Sequence, residues 1–356
     1  MWMRTKLKGI DIFAGAGGMA LGARMAGIET KVAMDHSLHA TTTYRHNHKN
    51  VEVICKPVSQ IRTLRRYTQK KPMIFFGGPP CSGFSTSNQK TRNKKNKDNW
   101  LFREYFRLAK TCNPEWLVIE NVKGLLNTEG GAFLDFIHKE MKSLGYVEST
   151  ILLSAEDFGV PQRRSRVFII GSKRGITLSR PKAIHEKVSV SEALDDLPAL
   201  SNGASVDYLE YTKPAGTKYA RLMRKRRKGC HNNLVTRNSE TVLSRYKHIP
   251  QGGNWEDIPA ELMGNYQDSS RCHTGIYHRL TAKRPSVVIG NYRKNMLIHP
   301  TEDRGLSVRE AARLQSFPDW YRFHGSIGFQ QQQVGNAVPP LLAKAVFAQI
   351  IEAHQE

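Results

Sequence analysis

Along residues 8 to 171 the chain alternates short unbroken apolar runs with longer stretches of helical spacing. KGIDIFA, ETKVAMD, PMIFFGG, EWLVIEN and RVFIIGS have strand length and are apolar almost throughout. Such runs predict strands buried on both faces. GGMALGARMAG, LFREYFRLAK and FLDFIHKEMKSLG space their apolar residues three and four apart and predict helices between the strands. The repetition predicts an α/β fold: a mostly parallel, Rossmann-like sheet with helices on both faces.

After about residue 180 the pattern breaks. Residues 180 to 278 are irregular, rich in turn residues, and include the basic run RLMRKRRK. Helical spacing returns in SVREAARLQSF and PPLLAKAVFAQIIEA, and no internal repeat is visible. The change in texture predicts a catalytic and cofactor-binding domain at 1–185, a smaller domain at 186–325, and a segment, 326–356, that returns to the first.

Composition sharpens this. The 356 residues carry a formal net charge of +23, which favours a polyanionic partner whose counterions basic side chains displace. The five cysteines are scattered, which fits a reducing cytoplasm better than a disulfide framework. Cys230-His231 and Cys272-His273 lack the short C-x-x-C pairing, so no metal is expected. No apolar run of membrane-spanning length and no signal peptide are expected either.

Chemistry gathers at the ends of the predicted strands. FAGAGG (Phe13, Ala14, Gly15, Gly17, Gly18) lies between a strand and a helix, and Asp35 ends the next strand. In an open α/β sheet this pattern suits a nucleoside cofactor: glycines for close approach, an acid for the ribose hydroxyls. The spacing departs from the dinucleotide fingerprint G-x-G-x-x-G, and many glycine turns only turn. Cys81 follows PMIFFGG through Pro79 and Pro80, Glu120 ends EWLVIEN, and QRRSR supplies Arg164 and Arg166 before RVFIIGS. Singly, these read as a buried thiol, a turn acid and solvated arginines. Together they suit methylation of cytosine carbon 5, where a thiolate adds to carbon 6, an acid meets N3 and an arginine steadies the base oxygen.

With FAGAGG, GGPPC, ENV, QRRSR, LSVREAARLQSFP and QVGNAVPP in this order, the chain resembles the DNA (cytosine-5) methyltransferases of bacterial and phage restriction-modification or orphan type, almost end to end. The resemblance implies a methyltransferase sheet and a target-recognition domain. It makes Cys81 the nucleophile, Glu120 the acid at N3, Arg166 the contact to the base oxygen, and Arg164 a brace for a loop or phosphate. For S-adenosylmethionine it implies Phe13, Ala14, Gly15, Gly17, Gly18, Asp35, Val58, Pro80 and Asn336. The sequence departs from the family in Ser82 after the nucleophile, Pro57 where an aspartate is usual, and Asp35 where glutamate is commoner.

A cytosine inside a duplex is unreachable, so the base has to be flipped out. Ser85, Lys90, Arg92, Lys94, Lys95 and Lys97, in the polar half of the Cys81 loop, are expected to grip the DNA around the gap. In the recognition segment Arg224, Arg226 and Arg227 are expected on phosphates, and Gln251, Gly252 and Gly253 either in a glycine-hinged loop that enters the groove or in a plain turn. The expected protein is a cytoplasmic, nucleoid-associated monomer acting on double-stranded DNA, with a separate restriction endonuclease as partner. Rival readings are a transfer-RNA cytosine methyltransferase, a Rossmann oxidoreductase and an inactive DNA-binding relative.

Overall fold

The computed structural model describes residues 7–68, 73–80, 100–264, 275–290, 292–294 and 296–356. The chain forms two compact units, the first from Met1–Phe158, Ser165–Ala183 and Val338–Glu356, the second from Gly159–Arg164 and Ile184–Ala337. The division differs from the expected boundaries: residues 326–337 and a short piece at 159–164 belong to the second unit.

Unit 1 is built on β1 (Lys8–Ile12), β2 (Glu29–Asp35), β3 (Glu52–Cys55), β4 (Met73–Gly77), β5 (Trp116–Val122), β6 (Val147–Ser154) and β7 (Ser165–Ser172). They form a 7-stranded sheet in the order β3-β2-β1-β4-β5-β7-β6. β1 to β5 pair in parallel, while β7 runs antiparallel between β5 and β6. The strand order reverses at β1 and β4, the point in an open α/β sheet where ligands bind beyond the carboxyl ends.

Consecutive residues of β4 show that both faces are covered, as period-2 alternation requires. Phe75 meets Tyr105 of α3 (Phe102–Cys112) edge-on at 6.5 Å, and Phe76 meets Phe347 of the C-terminal helix Pro340–Gln355 at 5.0 Å. On the Phe75 side the core takes in Phe106 and Leu108 of α3 and Phe133, Ile137 and Met141 of the helix Ala132–Ser143. Helices α1 (Gly18–Ala26) and α2 (Leu38–Asn47) follow β1 and β2. The inner face of α2 is largely polar: Thr41, Thr43, Tyr44 and Asn47 are buried.

Among its described residues unit 2 has little regular structure: two-residue strands Leu209–Glu210 and Gly229–Cys230, and the helices Val190–Leu194, Lys218–Arg224, Glu240–Lys247, Val308–Leu314 and Ile327–Asn336. Ion pairs fill much of its interior. Arg313 is fully buried, with Nη1 2.9 Å from Asp196 Oδ1 and Nε 2.6 Å from Asp319 Oδ1. Arg304 grips both oxygens of Glu310 at 2.7 and 2.9 Å. Although burial alone would raise the Glu310 pKa, the Arg304 charge and hydrogen bonds hold it down to about 2.

Among the described residues one run does reach membrane-spanning length and apolarity, against expectation: Ile327–Gln355. It is interrupted at residues 337–339, and Leu342, Val346, Phe347 and Ile350 in its second half are core residues of unit 1.

Candidate active site

Strand ends position the chemistry. Parallel pairing of β1, β4 and β5 carries the glycine turn, the GGPP segment and Glu120 to one edge of the sheet. Glu120 lies opposite Phe168 on β7, and Arg166 lies opposite Val122. Glu120 and Arg166 are thus diagonal neighbours across an antiparallel pair, within reach of long side chains. Arg166 Nε lies 2.8 Å from Glu120 Oε1, and the two side chains are only 12% and 9% exposed. The guanidinium fixes the carboxyl group while its own backbone stays in the sheet.

The two glycines before the prolines have separate steric reasons. A Cβ on Gly77 would lie 1.8 Å from the Ile12 carbonyl of β1, so the strand pairing itself excludes a side chain. On Gly78 it would lie 2.8 Å from Glu120 Oε2. The approach to Cys81 therefore passes directly over the acid. Asn121 fixes that approach: its Nδ2 donates to the Pro79 carbonyl at 3.2 Å, and its Oδ1 accepts from the Val122 N–H at 2.9 Å. The sequence offered a signal for Asn121, an amide next to the strand-end acid, but nothing that marked Gly78 as the residue making room for Glu120. Cys81 itself lies outside the described residues, as do Ser85, Lys90, Arg92, Lys94, Lys95 and Lys97.

The glycine turn has the shape a nucleoside site needs. Phe13, Gly15 and Gly17 take φ of 60°, 53° and 90°, left-handed values that favour glycine and strain Phe13. Gly15 N donates to Asp35 Oδ2 at 2.9 Å, and Ser37 N donates to Oδ1 at 2.8 Å. Each carboxylate oxygen keeps a lone pair for a further donor. A Cβ on Gly15 would meet nothing within 4 Å. Helix α1 begins at this turn with no side-chain cap and no acid in its first turn, leaving backbone donors for an anionic group. Phe13 and Pro80 are part-exposed. Val58 is buried at the start of a short turn whose first carbonyl, that of Pro57, accepts from Gln60 N at 3.0 Å. These groups fit an adenosine-type cofactor carrying a carboxylate. Asn336, expected at the same pocket, is an exposed helix end of unit 2.

The arginine motif is divided. Arg166 belongs to unit 1, whereas Gln162 and Arg164 belong to unit 2. Arg164 is 2% exposed and donates to the Ile289 and Gly335 carbonyls at 3.1 and 2.9 Å. It braces backbone there. Gln162, fully buried, accepts from Ile289 N at 2.9 Å and donates to the Leu314 carbonyl at 3.1 Å.

Arg224 corrects another expectation. It is 7% exposed, ion-paired to Asp196 and placed 3.6 Å over the Tyr211 ring, because the last turn of its helix faces inward. Arg226 and Arg227 are exposed. Residues 251–253 form a turn: Gly252 has φ 85° and donates to the Arg279 carbonyl, while Gln251 Oε1 accepts from Ala282 N at 2.9 Å. Arg279 steadies the turn from below through the Ile249, Tyr246 and His299 carbonyls.

Comparison with known proteins adds a consistent picture. The family described as C-5 cytosine-specific DNA methylase matches residues 7–352. The Type II methyltransferase M.DdeI of Desulfomicrobium norvegicum is 34% identical over 96% of this chain and 88% of its own length. The Type II methyltransferase M1.HphI of Haemophilus parahaemolyticus is also 34% identical, over 96% and 86%. Among solved structures, a DNA modification methyltransferase encoded within an E. coli prophage superposes with a TM-score of 0.79 at 24% identity, covering 99% of this chain and 100% of that one. The S. pombe Dnmt2 methyltransferase gives 0.61 at 16% identity, covering 98% of each. The structural likenesses support the α/β methyltransferase fold.

Proposed function

Since the chain belongs to the C-5 cytosine-specific DNA methylase family and is a DNA cytosine-5 methyltransferase, we propose that it modifies one short double-stranded sequence through a transient Cys81–carbon 6 bond. The family's substrate is DNA, so the transfer-RNA reading is not favoured. When bound, S-adenosylmethionine would supply an electrophilic methyl group and leave as S-adenosylhomocysteine, and the glycine turn, Asp35, Phe13 and Val58 would hold it. The target cytosine leaves the duplex to reach the edge of the sheet. Arg226, Arg227 and the basic residues after Cys81 engage phosphates, which set register without reading sequence.

The Cys81 thiolate forms a bond to carbon 6, and electron density moves toward N3. Glu120 donates a proton or hydrogen bond there, and Arg166, paired to Glu120, steadies both that carboxyl and the base oxygen. Carbon 5, now enamine-like, takes the methyl group. Its proton then passes to water, the carbon–sulfur bond breaks, the thiolate is regenerated, and N3 gives its proton back to Glu120. The Type II methyltransferases among its relatives support placing the enzyme in a restriction-modification setting; we propose that it acts there in the cytoplasm, as a monomer, with a separate endonuclease.

The observation that carries this reading is the Glu120 carboxyl, set by Arg166 at 2.8 Å and lying against Gly78 on the approach to Cys81. The test has two stages. Bisulfite sequencing of unmethylated DNA treated with enzyme and S-adenosylmethionine should show methylcytosine in one short motif. A duplex of that motif with 5-fluorocytosine at the target should then form a stable crosslink, mapped to Cys81 by mass spectrometry. Absence of the crosslink in the presence of cofactor, or a crosslink to another residue, overturns the mechanism.

A further inference from the structure

Beneath the glycine turn lies a chain of buried polar side chains that the reaction above does not use. Asp11, on β1, is 1% exposed. Its Oδ2 accepts from the Tyr44 hydroxyl at 3.2 Å, and its Oδ1 has no hydrogen-bond partner among the described residues. Tyr44, fully buried on α2, stacks on His48 with ring centroids 4.4 Å apart and planes inclined by 32°. His48 ends α2, is 4% exposed, and its ring comes within hydrogen-bonding reach of the Gly17 backbone. Gly17 is the N-cap of α1, and its carbonyl also accepts from Leu21 N at 2.9 Å. From the far end of α1, Arg24 donates to the Asn47 carbonyl at 3.2 Å. Both ends of α1 are therefore tied to the last turn of α2.

The ionisation states suit this arrangement. Burial, less the Tyr44 hydrogen bond and with the nearby Asp35 charge added, raises the Asp11 pKa well above the carboxylate range. Burial and the Arg24 charge lower His48 to about 3, so at neutral pH it is a neutral imidazole with one N–H to donate. A buried ionised carboxylate with one oxygen unpaired would be far costlier than the neutral acid.

We propose that Tyr44 and His48 are positioning residues for the glycine turn: they hold Gly17, and with it the first turn of α1, in the geometry that receives the nucleoside cofactor. The turn needs such a tether because three of its residues sit in left-handed backbone conformations. Asp35 tethers Gly15 from one side but also faces the ligand, whereas His48 tethers Gly17 from the protein interior. This rests on the reading of the turn as the S-adenosylmethionine site.

The test is titration of S-adenosylhomocysteine into full-length protein by calorimetry, without DNA, alongside kcat and cofactor KM. His48→Phe keeps the stacked ring and removes the donor. It should raise the dissociation constant and KM about tenfold, the value of one hydrogen bond, with kcat at saturating cofactor within twofold. His48→Gln, which can donate to Gly17, should recover most of that loss. Tyr44→Phe, which cuts the link to Asp11, should weaken binding by about threefold. A His48→Phe protein that melts earlier yet binds within twofold of wild type overturns the proposal, as does His48→Gln binding no better than His48→Phe. If His48→Phe does not fold, the other two variants carry the test, and wild-type affinity in both overturns it. Wild-type protein that takes no S-adenosylhomocysteine would overturn the functional reading itself, an outcome distinct from all of these.

Discussion

The two units handle charge in opposite ways. In unit 1 the Glu120–Arg166 pair stands at strand ends beside an apolar core, and it is the strands that hold the charges in place. In unit 2 the charges hold the fold. Asp196 and Asp319 meet Arg313 through both oxygens, Asp196 also pairs with Arg224, and Tyr211 donates to Asp319. The cluster lies where regular backbone pairing is scarce, with strands only two residues long. A sheet supplies hydrogen bonds to its own backbone, so its carboxylates are available for chemistry; a loop-rich unit draws on guanidinium groups to satisfy interior carbonyls and acids.

The contrast can be broken by exchanging the roles. Glu120→Gln should lower kcat by about a hundredfold to ten-thousandfold, the range for a lost general acid, with melting temperature and S-adenosylhomocysteine affinity unchanged. Methyl transfer from tritiated cofactor and thermal unfolding would check both halves. Arg313→Met should do the reverse, destabilising the protein by about 3–5 kcal/mol because it takes the shared cation from two buried carboxylates, leaving Asp196 with Arg224 and Asp319 with the Tyr211 hydroxyl and the more distant Arg309. Denaturant unfolding measures it. If Glu120→Gln proves as destabilising as Arg313→Met, the distinction collapses.

A smaller effect tests the geometry of the acid. Gly78→Ala puts a methyl carbon 2.8 Å from Glu120 Oε2, too close for the carboxyl to stay in place, and displacement of up to about 1 Å should reduce kcat by roughly tenfold to a hundredfold while sparing cofactor binding. An unchanged kcat would show that the carboxyl moves without consequence. Smallest is the exposed pair of arginines in unit 2. Arg226→Ala with Arg227→Ala should weaken DNA binding similarly for all sequences and flatten the salt dependence by up to about two phosphate contacts. A change in the methylated motif would mean that they read bases.

Much of unit 1 was legible because its strands are continuous apolar runs and its helices have a wide apolar stripe. The elements that escaped lack those signals. β3 and β6 are edge strands, part-exposed along much of their length, and VESTILLS alternates too loosely to stand out. α2 buries threonines and a tyrosine, so its inner face reads as polar. In the site, residue type and strand-end position announced Glu120, Asp35 and the arginines. Residue type alone did not tell the two arginines apart, since a single serine separates them and only the family resemblance gave them different roles, whereas the start of β7 between them separates a backbone brace from a partner of Glu120. Arg224 was misjudged for a similar reason: a basic run looks uniform, but one turn of helix directs one of its members inward.

The split arginine motif sets a rule for engineering. Anyone grafting unit 2 onto a sister enzyme would naturally cut near residues 184 and 337. That cut leaves behind residues 159–164, whose Gln162 and Arg164 clasp backbone at 289, 314 and 335. Chimeras need a second donor piece at 159–164, with the splice made immediately ahead of Ser165, or the transplanted body arrives without its clasp.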